Sequence, residues 1–144
     1  MGNDFRRRLG VLGEATATRF ISEAGLQVID RNWRNGRAGE LDIIATDGSN
    51  TIVIEVRTRF GNAKGSALES VDDRKVRQLR SLSVAWARSH ECRGHVRVDI
   101  VAITVDPAMR VVVFTVHKIK IVSVFHRHPA VPLIDDFCVV IGSV

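Results

Sequence analysis

The run Ile52-Val53-Ile54-Glu55-Val56 sets the tightest limit on how this chain can fold. A strand with one wet face alternates apolar and polar side chains, whereas this run is apolar on both faces. Thr51–Arg57 is therefore predicted to be a central strand of a sheet that is covered on each side. The one charge within its apolar run, Glu55, is costly to bury unless a cation or a metal ion answers it.

The flanking sequence provides the rest of such a sheet. From Leu9, the residues Leu9, Gly13, Ala17, Phe20 and Ala24 fall on one face at helical spacing, and Gly25 supplies a stop. Leu26–Trp33 reads as a strand, Gly36 and Gly39 as a turn, and Leu41–Ala45 as a second strand. Asp47-Gly48-Ser49-Asn50 has the composition of a hairpin loop leading into the Thr51 strand. Beyond a loop containing Gly61 and Gly65, residues 70–89 form an amphipathic helix. Its apolar stripe is Val76, Leu79, Leu82 and Trp86, with Arg74, Arg77, Ser81 and Arg88 opposite. Val96–Val105 and Arg110–His117 read as a final pair of strands about Asp106-Pro107. The predicted order is α-β-β-β-α-β-β, an α/β fold whose mixed sheet is flanked by helices. Residues 129–144 read as an extension of a domain spanning residues 1–128, with two prolines and Asp135-Asp136 ahead of an apolar end.

Composition narrows the function classes. A chain of 144 residues fits one domain large enough for its own core. Its apolar runs are far below the ~18 residues of a membrane span, and no secretory pattern follows Arg6–Arg8. Cys92 and Cys138 make no disulfide framework. The expected location is cytoplasmic, with no membrane partner. The net charge is +5 at pH 7 and is unevenly spread: residues 1–97 carry 17 Lys/Arg against 12 Asp/Glu, and residues 98–144 carry 4 against 4. That asymmetry suits a polyanionic partner, nucleic acid before an anionic membrane surface, with a solvated basic surface as the plain alternative. No Walker loop or dinucleotide fingerprint is present. His90-x-Cys92-x-x-His95 lacks the second Cys/His pair that a zinc finger needs.

Strand parity points to the chemistry. Side chains two apart share a face, so Glu40 and Asp42 are expected on one side of the second strand and Glu55 and Arg57 on one side of the third. A short hairpin brings the two pairs within reach. Two or three carboxylates beside a cation make a hard-oxygen cage suited to Mg²⁺ or Mn²⁺. A salt bridge between Glu55 and an arginine at the sheet edge is the purely structural alternative.

Gly39-Glu40-Leu41-Asp42-Ile43-Ile44 followed by Glu55-Val56-Arg57-Thr58-Arg59 resembles the PD-(D/E)xK nuclease signature. More narrowly, the chain resembles the YraN-like family of predicted endonucleases, relatives of archaeal Holliday-junction resolvases. Gly10-x-x-Gly13-Glu14-x-x-Ala17, Arg31-Asn32-Trp33-Arg34, Asp72-x-x-Lys75-x-x-Gln78-Leu79 and Arg97-Val98-Asp99 extend the likeness over about Leu9 to Phe125. The resemblance implies a restriction-endonuclease-like fold in which Asp42, Glu55 and the main-chain carbonyl of Val56 hold Mg²⁺ or Mn²⁺. It casts Glu14 as an acid leaning over the site, with a solvated helix residue as the alternative. Glu40 is left as a ligand, a supporting acid or a surface charge. The implied activity is metal-assisted hydrolysis of DNA phosphodiester bonds, with branched DNA and a homodimer as the analogy with resolvases suggests. Here the motif's lysine is replaced by Arg57, a permanent cation that can serve only as donor and charge. The alternative is therefore a nucleic-acid-binding protein that keeps the fold without turnover. Arg31, Arg34, Arg37, Arg59, Lys64 and Lys75 are the expected phosphate contacts. Trp33 is open to base stacking or to packing, and Trp86 belongs to the core.

Overall fold

A computed structural model describes residues 2–61, 70–92, 95–123 and 140–142. These form helix α1 (Asn3–Glu23), strand β1 (Gln27–Arg34), a short 3-10 turn (Gly36–Ala38), β2 (Glu40–Thr46) and β3 (Thr51–Phe60). Helix α2 (Asp73–Ser89), β4 (His95–Val105), β5 (Val111–Ser123) and β6 (Val140–Gly142) follow. The sheet order is β1-β2-β3-β4-β5-β6. Neighbours are antiparallel except β3 and β4, which run parallel. A tight turn cannot join a parallel pair, and the crossover that α2 provides meets this need. The architecture is a mixed α/β sheet consistent with the restriction-endonuclease-like arrangement expected above.

Both faces of β3 are covered, as its composition requires. On one face Ile52 and Ile54 pack with Ile43, Ala45 and Val101 against Leu9, Ala17 and Ile21 of α1. On the other, Val53 packs with Leu41, Ile44, Val96 and Val98 against Leu79, Leu82 and Trp86 of α2. α2 forms because its apolar stripe meets this second face and because Asp72 caps it, accepting a hydrogen bond from the Lys75 amide at 2.8 Å. The β2–β3 hairpin is set by Asp47. Its carboxylate accepts from the Asn50 side chain and from the Asn50 and Ser49 amides, which hold its pKa down to about 2.

The structure corrects two boundaries. α1 begins at Asn3, not Leu9, and its buried stripe is Leu9, Gly13, Ala17 and Ile21; Phe20 is half-buried and Ala24 lies past the helix end. Periodicity from Leu9 reported only the part of α1 lying on the sheet. The first turns run past it, anchored by Phe5 edge-on to Phe60 at 4.9 Å. β5 continues to Ser123 rather than ending at His117. Of the extension beyond residue 128, residues 140–142 pair with Phe114–Val116 as the sheet's sixth strand, and the rest lies outside the described residues.

α1 approaches β3 closely at Gly13, where a Cβ would overlap the Thr58 hydroxyl and come within 3.0 Å of its Cβ. Only a glycine lets α1 lie this near β3. Gly13→Ala is expected to destabilise the fold by about 1–3 kcal/mol through overpacking. Adding Thr58→Ala should recover part of the loss. Urea unfolding of the single and double variants measures this, and an unchanged midpoint for Gly13→Ala would refute the close approach.

Candidate functional site

The pairing of β2 with β3 runs from Thr46/Thr51 to Ile43/Ile54. β2 nevertheless stays paired with β1 as far as Glu40, and β3 with β4 as far as Phe60. The two central strands therefore part, and a fork opens between them with Asp42 on one prong and Glu55-Val56 on the other. Asp42 Oδ2 accepts a hydrogen bond from the Val56 amide at 2.8 Å, so a carboxylate stands where a ladder carbonyl would be. A residue's N–H and C=O face the same side of its strand. The Val56 carbonyl thus opens toward the fork as well.

Simple alternation fails on the β2 side of the fork. Leu41 packs on the α2 side and Ile43 on the α1 side, although they are two residues apart. Opposite Asp42, between the pairs Arg31/Ile43 and Trp33/Leu41, stands Asn32 with a left-handed φ of +50°. Alternation therefore breaks between Leu41 and Ile43, while Asp42 and Glu40 both stay within electrostatic reach of Glu14. Glu40 still lies close enough to Asp42 to raise its proton affinity.

Glu55 is 4% exposed. Its Oε1 receives two cations, Lys75 Nζ at 3.0 Å from α2 and Arg57 Nη2 at 3.1 Å from its own strand. Its Oε2 is buried with no hydrogen-bond partner among the described residues, and so is Arg57 Nε. Burial and the neighbouring Glu55 push the Asp42 pKa up to about 6, against the pull of the Val56 amide and Lys75. Glu14, reaching in from α1, is raised by burial, then by Asp42 and Glu40, while Arg31 and a hydrogen bond from Asn32 draw it back. Carboxylates from α1, β2 and β3 thus converge on the fork, and their mutual repulsion is only partly answered.

Among the described residues no three His, Cys, Asp or Glu side chains are placed to hold a metal between them. The donor set that fits a divalent cation is smaller: Asp42, Glu55 and the Val56 carbonyl. All three are hard oxygens, and the unpartnered Glu55 Oε2 is the kind of buried atom that such a cation satisfies.

The expected phosphate contacts divide. Arg34 is tied to Glu40, Nε to Oε2 at 2.9 Å, and Arg31 lies within electrostatic reach of Glu14. Arg34, Arg37 and Lys75 line a cleft of about 370 Å³ between the Gly36–Ala38 turn and α2. Arg59 lies further along β3, and Lys64 falls outside the described residues. Trp33 is half-buried against the α2-side core, with its ring edge-on to His90 at 6.5 Å. Trp86 is core and donates from Nε1 to Asp30 Oδ2 at 3.0 Å. His90 stacks on Trp86, and Cys92 Sγ lies 3.3 Å from Thr51 Oγ1.

Two residues with structural leverage were missed as site members, though both sit inside motifs already quoted. Asn32 steadies Glu14. Gln78 donates from Nε2 to the Ala38 carbonyl at 2.9 Å and fixes the turn. Gly39, at φ +126°, makes room for it, since a Cβ there would lie 2.6 Å from Gln78 Nε2. Helical spacing put Lys75 and Gln78 on one face of α2, and that was the usable signal.

Fold and fork together define a mixed α/β protein with an acidic centre rimmed by arginine and lysine. Residues 13–103 match the family described as "Uncharacterised protein family UPF0102". A UPF0102 protein of Kineococcus radiotolerans is 44% identical over 99 residues, covering 67% of this chain and 80% of its own length. One from Rhodococcus jostii is 45% identical over 98 residues (67% and 82%), and one from Mycobacterium tuberculosis 42% over 105 residues (71% and 81%). The chain belongs to the UPF0102 family. No helix among the described residues is long and apolar enough to cross a membrane.

A pH dependence follows from Asp42. The folded chain holds this proton more tightly than the unfolded chain, so ionising Asp42 works against folding. The penalty is absent below about pH 4, grows toward pH 6 and is complete above it. Asp42→Asn should match wild type near pH 4 and exceed it at pH 7 by up to about 3 kcal/mol. Urea unfolding at both pH values checks this; a less stable variant at pH 7 would contradict it.

Proposed function

We propose that this chain is a divalent-metal-dependent endonuclease that hydrolyses phosphodiester bonds in DNA, with branched or otherwise structured DNA as its substrate. The observation that carries the reading is Glu55: a carboxylate 4% exposed in a central strand, with one oxygen doubly paired to cations and the other unpartnered. A structural ion pair calls for partners on both oxygens, whereas a metal ligand needs one oxygen left over.

Asp42, Glu55 and the Val56 carbonyl would hold Mg²⁺ or Mn²⁺. Bound there, the ion would lower the pKa of a water and offset charge building on the phosphoryl oxygens. Lys75 holds the Glu55 carboxylate through Oε1 and leaves Oε2 without a hydrogen-bond partner. Arg57 uses Nη2 on Glu55 and keeps further N–H donors of its fork for a phosphoryl oxygen. Glu14 carries a raised proton affinity beside Asp42, which suits it to take or hold a proton at its carboxylate nearer neutral pH. Glu40 holds Arg34 in place at the cleft. Arg31, Arg37 and Arg59 contribute charge to phosphate binding that is indifferent to base sequence. A two-fold junction would be met by a homodimer, one site per strand.

Arg57 itself favours a second reading, that of a nucleic-acid-binding protein without turnover, because an arginine cannot exchange a proton as the motif's lysine can. Incubating the purified protein with linear, nicked and four-way DNA, with and without Mg²⁺ or Mn²⁺, separates the two. The proposal expects metal-dependent products that fall about a hundredfold or more in Asp42→Asn and Glu55→Gln. Binding without products in wild type, together with products from Arg57→Lys, would establish the second reading. Absence of both binding and products would overturn both.

A further inference from the structure

We propose that the groove along the N-terminal end of α2 is the track for the nucleic-acid strand flanking the fork, with Arg37 and Arg74 gripping phosphates on either side of Lys75. This rests on the nucleic-acid reading above and adds the path and the residues. Two clefts lie side by side at this end of α2. One, about 370 Å³, is walled by the Gly36–Ala38 turn and α2 and contains Arg37. The other, about 390 Å³, contains Arg74 and Asp72. They share Lys75 and Gln78 as a common wall, so they are two parts of one groove.

The groove leads into the fork, since Lys75 pairs with Glu55 and Glu40 lines the first cleft within electrostatic reach of Asp42. Its cations are not equivalent. Arg34 is tied to Glu40 and Lys75 to Glu55. Arg37 and Arg74 are exposed, and among the described residues neither makes an ion pair. The acid in the second cleft, Asp72, has its Oδ1 engaged on the Lys75 amide as the helix cap. One uncommitted guanidinium thus stands on each side of the wall.

Among the described residues the lining is arginine, lysine, glutamine, glycine and acid, with no aromatic ring to stack a base, and Trp33 is not part of it. Such a surface reads backbone phosphates, not bases. Gln78 joins the two walls, because its bond to the Ala38 carbonyl ties the turn carrying Arg37 to the helix carrying Arg74.

The test is binding alone, in EDTA, so that turnover plays no part. Fluorescence anisotropy of a labelled single strand and a labelled duplex is measured against salt for wild type, Arg37→Ala, Arg74→Ala and Arg88→Ala. Arg88 is an exposed arginine in the last turn of α2, away from the groove. Arg37→Ala and Arg74→Ala should each flatten the slope of log K on log[salt], by about 0.7 on the single strand or about 0.9 on the duplex. Arg88→Ala should match wild type, and all four should show the same circular dichroism. Salt-dependent binding by wild type with Arg37→Ala and Arg74→Ala indistinguishable from Arg88→Ala would overturn the track while leaving the nucleic-acid reading intact. No binding by wild type at low salt would overturn both.

Discussion

Glu55 is a carboxylate placed in the middle of an apolar strand, and the surrounding structure is arranged around that charge. Removing an ionised carboxylate from water costs several kcal/mol unless other groups replace the lost solvation. α2 delivers Lys75 to one oxygen, and β3 delivers Arg57 to the same oxygen from two residues away. Ile54 and Val56, on either side of Glu55, pack toward α1, which leaves Glu55 to the α2 side, where Lys75 meets it. The capped start of α2 at Asp72 therefore positions the site as well as the helix.

The second requirement is the fork. A continuous β2–β3 ladder would satisfy the Val56 amide with a carbonyl and leave no room for a carboxylate beside it. Here the ladder stops at Ile43/Ile54 and Asp42 takes that amide. The price of parting two central strands is met by their outer neighbours, since β1 and β4 stay paired along each prong. From above the fork, α1 can bring Glu14 in only because Gly13 allows the helix to touch Thr58. Fork, helix approach and buried acid are one construction, and a cation held between Asp42 and Glu55 would relieve the repulsion it stores.

Much of this was legible in the sequence, for reasons particular to the residues. The two-faced apolar run of β3 required a sheet with helices on both sides, and the stripe Leu79, Leu82 and Trp86 marked the helix for one of them. Parity placed Glu55 with Arg57 because β3 is regular there. The break in alternation between Leu41 and Ile43, beside the left-handed Asn32, was not legible, since an asparagine carries no obligation to adopt that conformation. α1 was cut short because its first two turns cover little of the sheet and so show little apolar period. Lys75 was readable as a cation in a motif but not as the partner of Glu55. Its reach depends on how α2 crosses the sheet, and that is a tertiary fact.

A divalent-metal site at the fork, built on Glu55, is the proposal on which the functional reading rests. The most direct test is a crystal of the full chain grown with Mn²⁺ and measured at a wavelength where manganese scatters anomalously. A metal held there gives an anomalous peak within about 2.5 Å of both Asp42 and Glu55 Oε2, with Lys75 still on Oε1. Crystals soaked in saturating Mn²⁺ that show no peak at the fork, with Glu55 Oε2 instead hydrogen-bonded to protein, would contradict it.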